Sequence, residues 1–137
     1  MGDTRLADIP GPHRARFDIP PVAAADLSVE FPVFEAPFAC RARKVVTVAG
    51  AAVTGADTNT RHLNLINKGT DGAGVTELAN RDYVAGTNSV KGDEENLYAP
   101  ATYLALAVGT VLHIQSERIG TGQALPPIGG YVEFESQ

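Results

Sequence analysis

Residues 104–122 read LALAVGTVLHIQSERIGTG, and between Val111 and Glu117 apolar and polar side chains strictly alternate, with glycines marking a stop on either side. A period of two places successive side chains on opposite faces of an extended backbone, so this stretch suits a half-buried strand and not a helix. Leu112, Ile114 and Ser116 share the dry face, and Val111, His113, Gln115 and Glu117 share the wet one. The same alternation recurs from residue 26 onward, and almost nowhere does an apolar stripe repeat at the helical period. That pattern confines the chain to an all-β fold.

Turn residues divide the rest into short strands. LSVEFPVF places Leu27, Val29 and Phe31 on one face, with Pro32 limiting the strand to an edge or a bend. RARKVVTVAG sets Ala42, Val46 and Val48 against Arg43, Val45 and Thr47, and RHLNLINKG alternates Leu63 and Leu65 with His62 and Asn64. KGTDGAG supplies the glycines and the Asp71-Gly72 pair that a hairpin reversal needs. VTELANRDYVA is the return strand, with a bulge expected at Asn80. Residues 86–101 are polar and read as a long loop. GTGQALPPIGG is a corner, and YVEFE closes the chain with Val132 and Phe134 inward and Tyr131, Glu133 and Glu135 outward. The expectation is an antiparallel β-sandwich, jelly-roll-like, of about seven or eight strands over residues 26–137.

Residues 1–25 differ in composition. They hold Pro10, Pro12, Pro20 and Pro21, with arginines and aspartates in balance. Proline cannot donate a ladder hydrogen bond and biases its predecessor toward extended backbone, so an extended arm without regular structure is expected. Leu6, Ile9, Phe17, Ile19 and Val22 are dense for a solvated tail and are read as anchors with which the arm docks on a partner, the capsid shell in the reading below.

The 11 basic and 16 acidic residues leave a formal charge of −5, which disfavours nucleic acid as a partner because phosphate binding needs a cationic face. Cys40 is the only cysteine, so neither an intrachain disulfide nor a multi-thiolate metal site is open to the chain; it reads as a small core hydrophobe. No apolar run reaches the length of a membrane span, and mixed charges and prolines occupy the N-terminal stretch where a signal peptide needs an apolar core. The expectation is synthesis in a cytoplasm, with no membrane partner.

Chemistry-bearing motifs are scarce. His13, His62 and His113 lack ligand-pair spacing with one another or with a carboxylate, and no GxSxG nucleophile turn occurs. The glycines of GTDGAG precede a strand, whereas a phosphate cradle opens a helix. Asp93, Glu94 and Glu95 lack the alternating spacing of an EF-hand loop and read as a solvated cluster. Only Asp71, Asp93 and the histidines offer polar chemistry to an enzymatic reading. No catalytic residue, metal or cofactor is therefore assigned, and the chain is not expected to be an enzyme.

AAVTGADTNTRHLNLINKGTDGAG, together with LALAVGTVLHIQSERIGTGQALPPIGG and the closing YVEFE, resembles the small capsid decoration (cement) proteins of tailed bacteriophages. The resemblance covers residues 48–74, 104–129 and 131–135, and its motifs are turn and core signatures. It implies a β-sandwich on the outside of a capsid shell, with the major capsid protein as partner and copies of itself as neighbours, often as trimers on local threefold axes. A structural virion protein on the capsid exterior is the function so implied. The alternative is a carbohydrate-binding or host-attachment module of a phage head or tail fibre, which predicts a groove lined by aromatics drawn from Tyr83, Tyr98, Tyr103 and Tyr131.

Overall fold

The structure, a computed structural model, describes residues 9–137. Nine strands follow in order: β1 (His13–Ile19), β2 (Val29–Glu35), β3 (Cys40–Ala49), β4 (Thr60–Gly69), β5 (Thr76–Asp82), β6 (Glu94–Tyr98), β7 (Leu104–Leu106), β8 (Val111–Ile119) and β9 (Ile128–Ser136). One sheet runs β1-β9-β3-β6, with the short β7 added to β3, and the other runs β2-β8-β4-β5. All the pairings are antiparallel. Eight strands in this order are the two interleaved Greek keys of a jelly roll, as expected, with β7 as an extra short strand.

The alternation in β8 sets the position of its sheet. Leu112 and Ile114 are fully buried and Ser116 is nearly so. They stand opposite Phe34, Leu65 and Leu63 on the neighbouring strands, so one dry face is assembled from three strands. Facing it, Cys40, Ala42, Val45, Ile128, Val132 and Phe134 of the other sheet complete the core. The KGTDGAG reversal forms as expected: Gly72 has a φ of 78°, and the Asp71 carboxylate accepts a 3.0 Å hydrogen bond from the Ala73 N–H.

Of the segment 1–25, residues 13–25 depart from the expectation. HRARFDI forms β1, an edge strand in full register with β9 from His13↔Phe134 to Ile19↔Ile128. Phe17, Ile19 and Val22 are buried core residues and not docking anchors. The prolines flank this strand without entering it, so Ala15, Phe17 and Ile19 alternate freely with Arg14, Arg16 and Asp18. Gly130 lies opposite Phe17, and a Cβ there would sit 2.7 Å from the Phe17 ring and 2.0 Å from the Val46 carbonyl oxygen. The missing side chain thus lets Phe17 lie down on the sheet. Val22 continues into the core by exchanging backbone hydrogen bonds of 3.1 and 3.0 Å with Leu125. Ile9 is exposed, and Leu6 lies outside the described residues. The sandwich therefore begins at residue 13, not 26.

Bulges account for the other differences. A register shift between Ala42 and Lys44 puts Ala42 and Val45 on the same inner face and turns Val46 and Val48 outward. A second, between Pro32 and Phe34, buries both Val33 and Phe34, and Leu27, which precedes β2, is exposed. In β5 the irregularity falls at Leu78, between Glu77 and Ala79, and not at Asn80. An extra residue in one strand rotates everything beyond it, which strict alternation cannot anticipate. Within the expected long loop, β6 pairs with β3.

Deleting residues 1–25 removes β1 and three core side chains and is expected to abolish cooperative thermal unfolding. Phe17→Ala alone is expected to cost about 3–5 kcal/mol. In urea melts Leu112→Asp, which buries an unpaired charge, is expected to unfold the domain, while Gln115→Asp changes stability by less than about 1 kcal/mol.

Candidate functional site

Four connections, residues 20–28, 50–59, 83–93 and 120–127, gather at one end of the sandwich, and a buried arginine ties the first of them to the last. Arg61 has no exposed surface. Its Nε donates to the Gln123 carbonyl oxygen at 2.8 Å, one terminal nitrogen donates to the carbonyls of Ala23 at 2.9 Å and of Asp26, and the other reaches the Ser116 carbonyl and hydroxyl at 3.4 Å. No carboxylate makes an ion pair with it among the described residues. Burial lowers its pKa from the ordinary value, Asp26 opposes that, and Arg118 adds to it. A ring of carbonyl dipoles thus takes the place of a counterion.

The remaining connections join this network. The Gln123 amide donates to the Thr54 carbonyl. The buried Tyr83 hydroxyl lies 2.8 Å from Ser89 Oγ, which donates to Glu95 Oε1 at 2.6 Å, and Arg81 holds both Glu95 and the Asn88 carbonyl. The Gly55 N–H donates to Asn88 Oδ1 at 2.9 Å. Sequence reasoning assigned Arg61 no role, yet a signal was present: Arg61, Leu63 and Leu65 share the inward parity of their strand.

On the outer face of the β2-β8-β4-β5 sheet, His62 Nδ1 lies 3.2 Å from Asp82 Oδ1 and 3.4 Å from Glu117 Oε1. His113 Nδ1 lies 3.4 Å from Glu30 Oε2, which also meets Lys68 Nζ at 3.2 Å. Asn64 donates to Gln115 at 3.0 Å and to Glu117 at 3.2 Å. These carboxylates reach the histidines across strands, which spacing along the chain does not reveal. Among the described residues no group of three or more His, Cys, Asp or Glu side chains is arranged to hold a metal. The third histidine, His13, packs its ring 5.5 Å from that of Phe134.

The outer face of the other sheet carries a trough of about 500 Å³ beside β1 and β9. Tyr131 lies at its edge, nearly buried beneath the Arg14 guanidinium, whose carbon sits 4.3 Å from the ring centre, while Arg14 Nε donates to Glu133 at 3.2 Å. The other tyrosines are dispersed. Tyr83 is core, Tyr98 is half-buried with its pKa raised by desolvation, and Tyr103 stands exposed, accepting a 3.2 Å bond from Arg43. Cys40 is fully buried, and burial raises its thiol pKa. Of the acidic cluster, Asp93 and Glu94 are exposed, while Glu95 belongs to the network around Tyr83.

Comparison with known protein families and with curated proteins finds no match to this chain.

Arg61→Lys keeps the charge but loses the planar fork that reaches several carbonyls at once. It is expected to lower stability by about 2–4 kcal/mol in denaturant unfolding, with the fold retained.

Proposed function

We propose that this chain is a structural virion protein that binds the outer surface of a bacteriophage capsid and stabilises it. The observation that carries the reading is the coincidence of the jelly roll with the decoration-protein resemblance. Its stretches fall on the end of β3, β4 and the hairpin after it, and on β7, β8 and the corner into β9. Those segments also contain Thr54, Arg61 and Gln123, whose hydrogen bonds tie the connections at one end of the sandwich.

Physical argument supports the same role. A body held at many identical sites on a shell needs little affinity at each, provided that it is rigid and loses little freedom on binding. Uncontrolled growth through sheet edges is discouraged by the charges of Arg14, Arg16 and Asp18 on β1 and by Glu30 and Pro32 on β2. A closed trimer on threefold sites of the shell is compatible with such edges, because rotational symmetry buries a defined patch in each copy. The docking role of the N-terminal segment narrows to Leu6 and Ile9, since Phe17, Ile19 and Val22 are committed to the core.

Purified protein added to capsids that lack it is expected to bind saturably, in a fixed ratio to the major capsid protein, with density on the outer surface in cryo-electron microscopy. Cross-linked decoration bands are expected to stop at three copies. Absence of saturable binding would overturn the reading, and a ladder ending at dimers would overturn the trimer.

A further inference from the structure

We propose that the end of the sandwich opposite Arg61 is the surface that seats on the shell, an inference that rests on the capsid role proposed above. Strand direction defines this end. There β2, β4 and β7 arrive and β3, β5 and β8 depart, so it is built from residues 36–39, 70–75 and 107–110, with residues 9–12 leading into β1 beside them. Adjacent stretches are joined. The Ala36 N–H donates to the Thr110 carbonyl oxygen and the Gly109 N–H to that of Ala36, each at 2.8 Å. Gly69 stands opposite Val111 where the hairpin begins, and the Phe38 ring lies 6.4 Å from that of His13. Four stretches far apart in the chain thus make one continuous surface.

Composition marks this surface as an interface. Asp71 is the only charged residue in the four stretches, in a chain that is 20% charged. Along them Ile9, Val75 and Val108 are 43%, 84% and 61% exposed, and Pro37 is exposed as well. Charges return only at the strand ends around it, at Glu35, Arg41, Lys68 and Glu135. An apolar centre depleted of charge within a polar rim is the composition of a protein–protein contact. The Arg61 end differs: its connections carry Asp26, Asp57, Lys91 and Asp93. Its exposed Leu27 and Val84 adjoin β2 and β5, strands at opposite edges of one sheet, so they form no single patch.

Shape supports the same end. A groove of about 470 Å³ opens between the edge strands β1 and β2, lined chiefly by Ala15, Val33, Phe34, Pro37 and Phe134. Pro37 belongs both to the groove and to the end surface, so the two are continuous. A concavity of this kind receives an apolar side chain of the partner as an anchor. The entry point of the chain selects the shell over a second copy as the occupant. Residues 1–8 join the described structure at Ile9, on this end, so the docking contacts assigned to Leu6 and Ile9 start from the same surface.

The test uses full-length protein and capsids that lack it. Val108 and Val90 are each 61% exposed and lie at opposite ends, so Val108→Arg and Val90→Arg add the same charge and bulk in matched settings. Capsid binding is expected to weaken at least about tenfold for Val108→Arg and less than about twofold for Val90→Arg, with both melting temperatures unchanged. Cryo-electron microscopy of decorated capsids is expected to place residues 70–75 and 107–110 against the shell and the Arg61 end outward. Undiminished binding by Val108→Arg, or the opposite orientation, would overturn this surface and leave the capsid role standing. Failure of the unaltered protein to bind would overturn the capsid role and this surface with it. Free protein whose oligomers are dissociated by Val108→Arg in light scattering would show a contact between copies and overturn the shell as occupant.

Discussion

A guanidinium group held in the dry end of a small sandwich, with carbonyl oxygens for company and no paired carboxylate among the described residues, is the contact on which the arrangement of the loops depends. Arg61 is fully buried, and its donors run to residues 23, 26, 116 and 123. Each carbonyl is a weak partner alone, but a planar fork reaches several at fixed angles, and in a low-dielectric setting each bond gains strength. The connection between the first two strands is thereby tied to the corner before the last, two segments about a hundred residues apart in the chain. Loops in a β-sandwich ordinarily move more than the strands that carry them; here they share one charge.

Much of this was legible from side-chain order. The parity of Leu112, Ile114 and Ser116 agrees with their burial, and the glycines and Asp71 of the first hairpin act as turn chemistry requires. What escaped did so for identifiable reasons. Prolines dominated the reading of residues 1–25, although they bracket HRARFDI and leave its alternation intact. The bulge at Ala42–Lys44 reversed the faces assigned beyond it. Arg61 was hidden by its residue type: an arginine at an inward parity reads as an error in the pattern until the carbonyls that receive it are seen.

The trough and the histidine face were illegible for another reason. Asp82, Glu117 and Glu30 meet His62 and His113 only through strand pairing, and Gly129 forms a dip only because Asp18 and Val48 flank it from strands far away in the chain. The two outer faces thereby acquire different characters. The four-stranded sheet sets its histidines against carboxylates across its own strands, while the five-stranded sheet carries an open dip at Gly129 ringed by exposed charges.

The pairing of β1 with β9 also governs the order in which the molecule takes shape. Among the described residues β1 finds its only ladder partner in β9, across a separation of 119 residues at Arg14 and Glu133. During synthesis Phe17 and Ile19 leave the ribosome long before the strand that covers them exists. Closing so large a loop is slow, because its entropy is lost before the contact returns anything. Until β9 arrives, the chain carries an apolar edge in need of protection, so the interval between the two strands is its period of greatest exposure to aggregation.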